Sequence, residues 1–217
     1  MAAYELAIFD FDGTLADSFP WFLRVINSVA DRYGFRRIDE NDVETLRGYT
    51  ARQMIGHLDL PAWKLPLVAR HMRCLAARHA DQIPLFEGAG RMLRHLSDGG
   101  LTLAVVTPNS EANVRRVLGP ENAALIDHYA CGASVFGKAA KLRTVLKASG
   151  LAGRRAICIG DEIRDHEVAV RAGTAFGAVA WGYTRPDALL AHAPTMTFET
   201  MDEIARRLAP HVRHVPA

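Results

Sequence analysis

Asp10 and Asp12 stand two positions apart in the run Asp10-Phe11-Asp12-Gly13-Thr14-Leu15, where a short apolar stretch, residues 5–10, ends and passes straight into a glycine. At the carboxyl end of a buried strand, both side chains can face one crevice. There a divalent cation can neutralise them while one carboxylate acts as nucleophile and the other moves protons. Two like charges at a strand end are costly to bury without such a cation. A second acidic set, Asp161, Glu162 and Asp165, follows another apolar run, residues 156–159, and opens a helical pattern. Acidic residues also suit helix N-termini for capping and dipole reasons. Each acidic set, at the end of an apolar run, is a candidate for a cation-assisted site.

The elements that must position these side chains are legible from periodicity. Residues 5–10, 101–106, 156–159 and 175–181 are short apolar runs bounded by turn chemistry, which is the pattern of strands buried on both faces, and residues 126–130 form a fifth candidate. Helical spacing covers residues 88–96, 110–118, 138–148, 165–172 and 200–208. The alternation predicts βαβ units, hence an α/β, doubly wound, mostly parallel sheet of Rossmann-like type with right-handed crossovers.

Residues 17–83 break that rhythm. Phe22, Val25, Ile26, Val29 and Tyr33 recur on one helical face until Gly34 stops the helix, and a second helix candidate follows Asp39. Pro61 can occupy the first turn of a third, in which Leu67, Val68, His71, Met72 and Leu75 share a face. The expected organisation is a core domain of residues 1–16 and 84–217, interrupted by an inserted helical cap domain of residues 17–83.

Composition excludes other classes. The chain has 217 residues, 49% apolar and 23% charged, which argues against disorder, collagen-like repeats and coiled coil. Lys plus Arg number 26 against 24 Asp plus Glu, a formal charge of +2, so neither nucleic acid nor an anionic membrane is favoured as a partner. Cys74, Cys131 and Cys158 are an odd count with no CxxC spacing and read as small core residues. The first eleven residues lack a basic n-region, and no apolar run approaches the roughly 18 residues of a membrane span. A cytoplasmic location is expected.

Residues 10–18, Asp-Phe-Asp-Gly-Thr-Leu-Ala-Asp-Ser, resemble the first motif of the haloacid dehalogenase superfamily of phosphohydrolases, and further motifs follow in order over nearly the whole chain. The resemblance implies that Asp10 is the nucleophile that becomes an aspartyl phosphate, and that Asp12 protonates the leaving oxygen and then activates water. Thr107 stands where the second motif places a hydroxyl on a phosphate oxygen. Pro108 follows where Asn or Ser is usual and offers no N–H, so the N–H of Asn109 is the substitute donor, failing which the cradle is poorer. Lys138 is the expected charge-offsetting lysine, with Lys141 the alternative.

The stretch Gly160-Asp161-Glu162-Ile163-Arg164-Asp165 resembles the fourth motif, Gly-Asp-x-x-x-Asp. It implies Mg²⁺ held by Asp10, Asp12, Asp161 and Asp165, with Glu162 the alternative to Asp165. Mg²⁺ suits a few carboxylates plus phosphate oxygens, and the chain lacks the His and Cys spacing that zinc favours. The segment Arg47-Gly48-Tyr49-Thr50-Ala51-Arg52 resembles the family's cap substrate loop, so Arg47 and Gly48, with Gly13 and Asn109, are expected substrate or phosphate contacts. A capped site favours small phosphorylated metabolites such as phosphoglycolate or a sugar phosphate, in a monomer or homodimer. A phosphomutase of the same fold and a non-catalytic, receiver-like phosphate module are the alternatives.

Overall fold

The four residues of β1 (Leu6–Phe9) are all buried, as a strand covered on both faces of a sheet must be. The computed structural model describes residues 4–132 and 137–209. After β1 the chain runs through α1 (Phe19–Tyr33), α2 (Val43–Leu46), α3 (Ala51–His57) and α4 (Leu65–Arg78). It then alternates α5 (Ala89–Asp98), β2 (Thr102–Val106), α6 (Glu111–Ala123), β3 (His128–Ala130), α7 (Lys138–Ser149), β4 (Ala156–Gly160), α8 (Ile163–Ala172), β5 (Ala175–Val179), α9 (Pro186–Leu190), β6 (Met196–Phe198) and α10 (Met201–Leu208). The six strands lie in the order β3-β2-β1-β4-β5-β6, and every pairing is parallel. This is the expected α/β doubly wound architecture.

Alternate strand residues face opposite sides of the sheet. Leu6, Ile8, Ala104, Val106, Ala156 and Cys158 pack with Leu142 and Val145 of α7 and Ile163 and Ala169 of α8. Ala7, Phe9, Leu103, Val105, Ile157 and Ile159 pack on the other side with α5, α6 and α10 through Met92, Leu93, Val114, Leu118, Ile204 and Leu208. The register pairs Phe9 with Val105 on one side and with Ile159 on the other. The carboxyl ends of β1, β2 and β4 therefore lie level, and the residues that follow each strand emerge along one edge.

Boundaries depart from the periodicity where local geometry intervenes. Gly119, at φ 73° and ψ 163°, breaks α6 before Pro120, after which the helix resumes to Ala123. The fourth apolar run stops being strand at Val179, so Trp181 lies in the turn beyond it. Elements α3, α9 and β6 carried no clear periodic signal, the last being only the three residues Met-Thr-Phe.

Among the described residues, positions 17–83 contain helices and no named strand. They hold a separate apolar cluster of Ile26, Val29, Ala30, Phe35, Ile38, Leu46, Leu58, Leu60 and Val68. Helix α1 ends at Gly34, whose φ of 63° is the left-handed conformation glycine adopts freely. Leu67, expected on the buried face of α4, is exposed. The chain leaves the core and returns side by side: Asp17 N–H donates to the Pro84 carbonyl at 2.9 Å and Phe86 N–H to that of Leu15 at 3.0 Å. Of the cysteines only Cys158 is buried, whereas Cys131 is half-buried and Cys74 exposed, so the core reading holds for one of the three. No helix among the described residues is long and apolar enough to cross a membrane.

Candidate active site

Asp10 leaves β1 with its backbone N–H on the Ile159 carbonyl at 2.9 Å, which ties it to the end of β4. One ligand oxygen from each of Asp10, Asp161 and Asp165 lies within 4.8 Å of the others, and all three residues are buried. Lys138, the first residue of α7, places Nζ 2.8 Å from Asp10 Oδ2 and also contacts Asp165 Oδ1. Three carboxylates against one ammonium leave an excess of acidic groups in a buried site. Burial pushes the Asp10 carboxyl above its ordinary range, although the Lys138 charge opposes this. Burial also raises Asp161 well above that range, with Glu162 and Asp10 adding repulsion. Lys138 is itself opposed by burial, but Asp10 and Asp165 outweigh it and hold the ammonium charged.

The donor set fits a hard divalent cation. Among the described residues it is made of oxygens alone, its charge excess is negative, and Asp10 Oδ1 has no hydrogen-bond partner. Asp161 is oriented through both oxygens: Thr14 Oγ1 donates to Oδ1 at 2.7 Å and the Tyr183 N–H donates to Oδ2 at 2.8 Å. Asp165 Oδ2 accepts the Glu162 N–H at 3.2 Å, while the Glu162 carboxylate pairs with Arg164 at 2.6 Å. Between the two acids weighed for the fourth position, the geometry brings Asp165 to the cluster and turns Glu162 toward Arg164.

Asp12 was expected beside the cation, but its carboxylate is outside that cluster. Its Oδ2 accepts from Asn109 Nδ2 at 3.2 Å. The amide is held in this sense because Asn109 Oδ1 accepts from Ser110 N–H at 2.9 Å and from Asn113 Nδ2 at 3.0 Å. Burial and the neighbouring Asp10 charge raise the Asp12 carboxyl to about 6, the range of a group that can both give and take a proton near neutrality.

The Asn109 N–H, expected as the substitute phosphate donor, instead donates to Thr107 Oγ1 at 3.1 Å. Thr107 thereby keeps its own hydroxyl proton for another acceptor. The two lysines divide their tasks: Lys138 meets the carboxylates, whereas Lys141 Nζ donates to the Thr107 carbonyl at 2.7 Å and to the Gly132 carbonyl, bracing the end of β2. Gly13, at φ 80°, has no room for a side chain, since a Cβ there would run into the Asp161 carboxylate and the Tyr183 ring. Its role is close approach of the backbone to Asp161.

Arg47 and Gly48 lie where the helical segment meets the loop after β5. Arg47 donates through Nε to the Tyr183 carbonyl at 3.1 Å and through Nη2 to that of Gly182 at 2.9 Å, and pairs with Glu44 at 2.9 Å. Gly48 lies beside Arg185, whose N–H donates to the Arg47 carbonyl at 3.0 Å. These residues fasten α2 and the turn after it to the loop after β5, and Arg52 lies in α3 rather than in a loop. Thr14 and Tyr183 were missed as site residues. Thr14 sat inside the first motif as a signal that could have been read, whereas nothing in the sequence links Tyr183 to Asp161.

Known proteins resemble this chain in sequence and in fold. A phosphoglycolate phosphatase of Synechococcus elongatus is 29% identical over 96% of this chain and 99% of its own length. A haloacid dehalogenase-like family hydrolase from Streptococcus pneumoniae superposes with a TM-score of 0.79 at 21% identity, covering 95% of this chain and 99% of the other. CbbY from Rhodobacter sphaeroides, solved in complex with phosphate, superposes with a TM-score of 0.69 at 22% identity, over 93% and 96% of the two chains. The last two establish the likeness of fold. The family model of haloacid dehalogenase-like hydrolases matches residues 7–179, a span running from β1 through the Asp161 loop to the end of β5, and the chain belongs to that family.

Proposed function

We propose that the protein is a Mg²⁺-dependent phosphatase that hydrolyses a small phosphate monoester through an aspartyl phosphate on Asp10. One observation carries this reading: Asp10 Oδ1 is buried without a hydrogen-bond partner among the described residues, while Oδ2 is held by Lys138 at 2.8 Å. A carboxylate with one oxygen fixed and the other unpaired is arranged for in-line attack. Asp10, Asp161 and Asp165 would hold the cation, which supplies positive charge to the phosphate oxygens and to the nucleophile.

The remaining work falls to side chains. Lys138 offsets charge on Asp10, and the Thr107 hydroxyl, whose oxygen already accepts the Asn109 N–H, donates to an equatorial phosphate oxygen. Asp12, held by Asn109, gives its proton to the departing oxygen as the ester P–O bond breaks, so that a neutral alcohol leaves. The same carboxylate then takes a proton from water as the water oxygen attacks phosphorus, which returns Asp10 and releases phosphate. We read residues 17–83 as the cap that closes over this chemistry and excludes bulk water.

The names of the relatives favour phosphoglycolate or a phosphorylated sugar as first substrates to try. Phosphate release from a panel of phosphorylated metabolites and an aryl phosphate, with Mg²⁺ and with chelator, tests the reading. Turnover should need the metal and vanish in Asp10→Asn. An Asp10→Asn enzyme that turns over at the parent rate overturns the assignment, and phosphoryl transfer to a second sugar instead of water would make it a mutase.

A further inference from the structure

Resting on the phosphatase reading, we infer that the organic part of the ester is apolar, an alkyl or aryl group seated in a cavity between cap and core, rather than a two-carbon hydroxy acid. The crevice beside Asp12, the group that would protonate the leaving oxygen, has a volume of about 280 Å³ and is walled by Asp12, Pro108 and Asn109 of the core and by Trp21 and Met72 of the cap. Beside it lies a second cavity of about 300 Å³, walled by Phe19, Leu23, Val43, Leu46, Met54 and Ile55. The two spaces share Phe22, Glu162, Arg164 and Tyr183 as walls, so they adjoin, and the organic group that leaves past Asp12 has the second cavity as its apolar neighbour.

Size and chemistry define what fits. The second cavity has about twice the roughly 150 Å³ that holds benzene in an apolar protein interior. The Tyr183 ring stands edge-on to Phe19 with centroids 4.9 Å apart and to Phe22 at 5.7 Å, an aromatic partition suited to a flat or flexible hydrocarbon. The cations on its wall have carboxylate partners within the protein: Arg47 meets Glu44 at 2.9 Å and Arg164 meets Glu162 at 2.6 Å. The competing occupant is a short phosphorylated acid confined to the crevice, where Arg73 of α4 could meet its carboxylate. Such a ligand would leave the apolar cavity unfilled.

The test is kcat/KM with Mg²⁺ for ethyl, butyl and hexyl phosphate, 1-naphthyl phosphate and phosphoglycolate. Burial of each methylene should raise kcat/KM about fourfold, so hexyl phosphate should exceed ethyl phosphate by about two orders of magnitude. 1-Naphthyl phosphate should exceed phosphoglycolate at least tenfold. Met54→Trp, which fills the cavity from α3, should cut the hexyl-to-ethyl ratio at least tenfold, and Leu23→Trp does the same from α1 should the first variant fail to fold. A flat alkyl series with phosphoglycolate preferred overturns this inference and leaves the phosphatase reading standing. No turnover of any ester removes the phosphatase reading instead. Calorimetry with 1-naphthyl phosphate then decides the cavity: binding weakened at least tenfold by the filling variant supports it, and no detectable binding overturns it.

Discussion

The backbone N–H of Tyr183 donates to Asp161 Oδ2 at 2.8 Å, joining the loop after β5 to an acidic residue after β4. The same tyrosine reaches the helical segment after β1, where its hydroxyl lies 3.1 Å from Ser18 Oγ and its ring meets Phe19 and Phe22. One residue thus sets the direction of a candidate metal ligand and forms the wall between two cavities. Gly182 beside it is equally constrained, because a Cβ at that position would run into the Asp161 side chain.

Orientation of Asp161 by Thr14 makes Thr14→Val a test of metal affinity. The variant removes the donor 2.7 Å from Oδ1 and leaves a buried carboxylate oxygen short of a partner. Loss of a partner that orients a metal ligand costs about 10- to 100-fold in affinity. Mg²⁺ titration followed by thermal stabilisation should show a shift of that size, and an unchanged titration would remove Thr14 from the site.

The two lysines should separate under substitution. Lys138→Met strips the charge opposing Asp10, so kcat should fall by roughly 10²-fold or more through lost electrostatic stabilisation. Lys141→Met removes the bonds to the Thr107 and Gly132 carbonyls, so its first effect should be a lowered melting temperature. Equal loss of kcat in both, with equal stability, would contradict this division.

Asp12 carries a pH signature. Burial raises its carboxyl from 3.8 to about 6, so in the metal-free protein the stability it contributes is fully present below about pH 4 and is lost as pH rises through 6. Asp12→Asn, neutral throughout, should therefore stabilise the metal-free protein at about pH 7.5 by on the order of 2 kcal/mol while abolishing proton transfer. Denaturant unfolding at about pH 4 and pH 7.5 reads this directly. A variant less stable than its parent at the higher pH would contradict the raised value.

Arg47 is predicted to fasten the cap to the core. Arg47→Ala removes two charge-assisted bonds to the Gly182 and Tyr183 carbonyls, and should destabilise the junction of residues 44–48 with the loop after β5 by about 1–3 kcal/mol. Hydrogen exchange in residues 44–48 and 182–185 should rise together. If exchange is unchanged and only KM rises, Arg47 is a substrate contact, as its resemblance to the cap loop implied.

The chain's pattern by itself determined five of the six strands described, their alternation with helices and the acidic pairs. Buried parallel strands must be nearly continuous apolar runs, and their carboxyl ends must carry whatever the crevice uses; residues 5–10 and 156–165 display both. It also marked the helical stretch 17–83 as foreign to the alternation. Short elements such as Met196–Phe198 and Ala51–His57 stayed hidden, because three to seven residues hold too little periodicity to stand out. Only the tertiary structure decided which acid joins the cluster and which lysine faces it, since Asp165 and Glu162, or Lys138 and Lys141, differ by less than one helical turn in sequence but point to different surroundings. It alone turned Arg47 onto two carbonyls and brought Tyr183 to Asp161. Such contacts join segments 22 to 136 positions apart, and long-range packing, not local propensity, selects them.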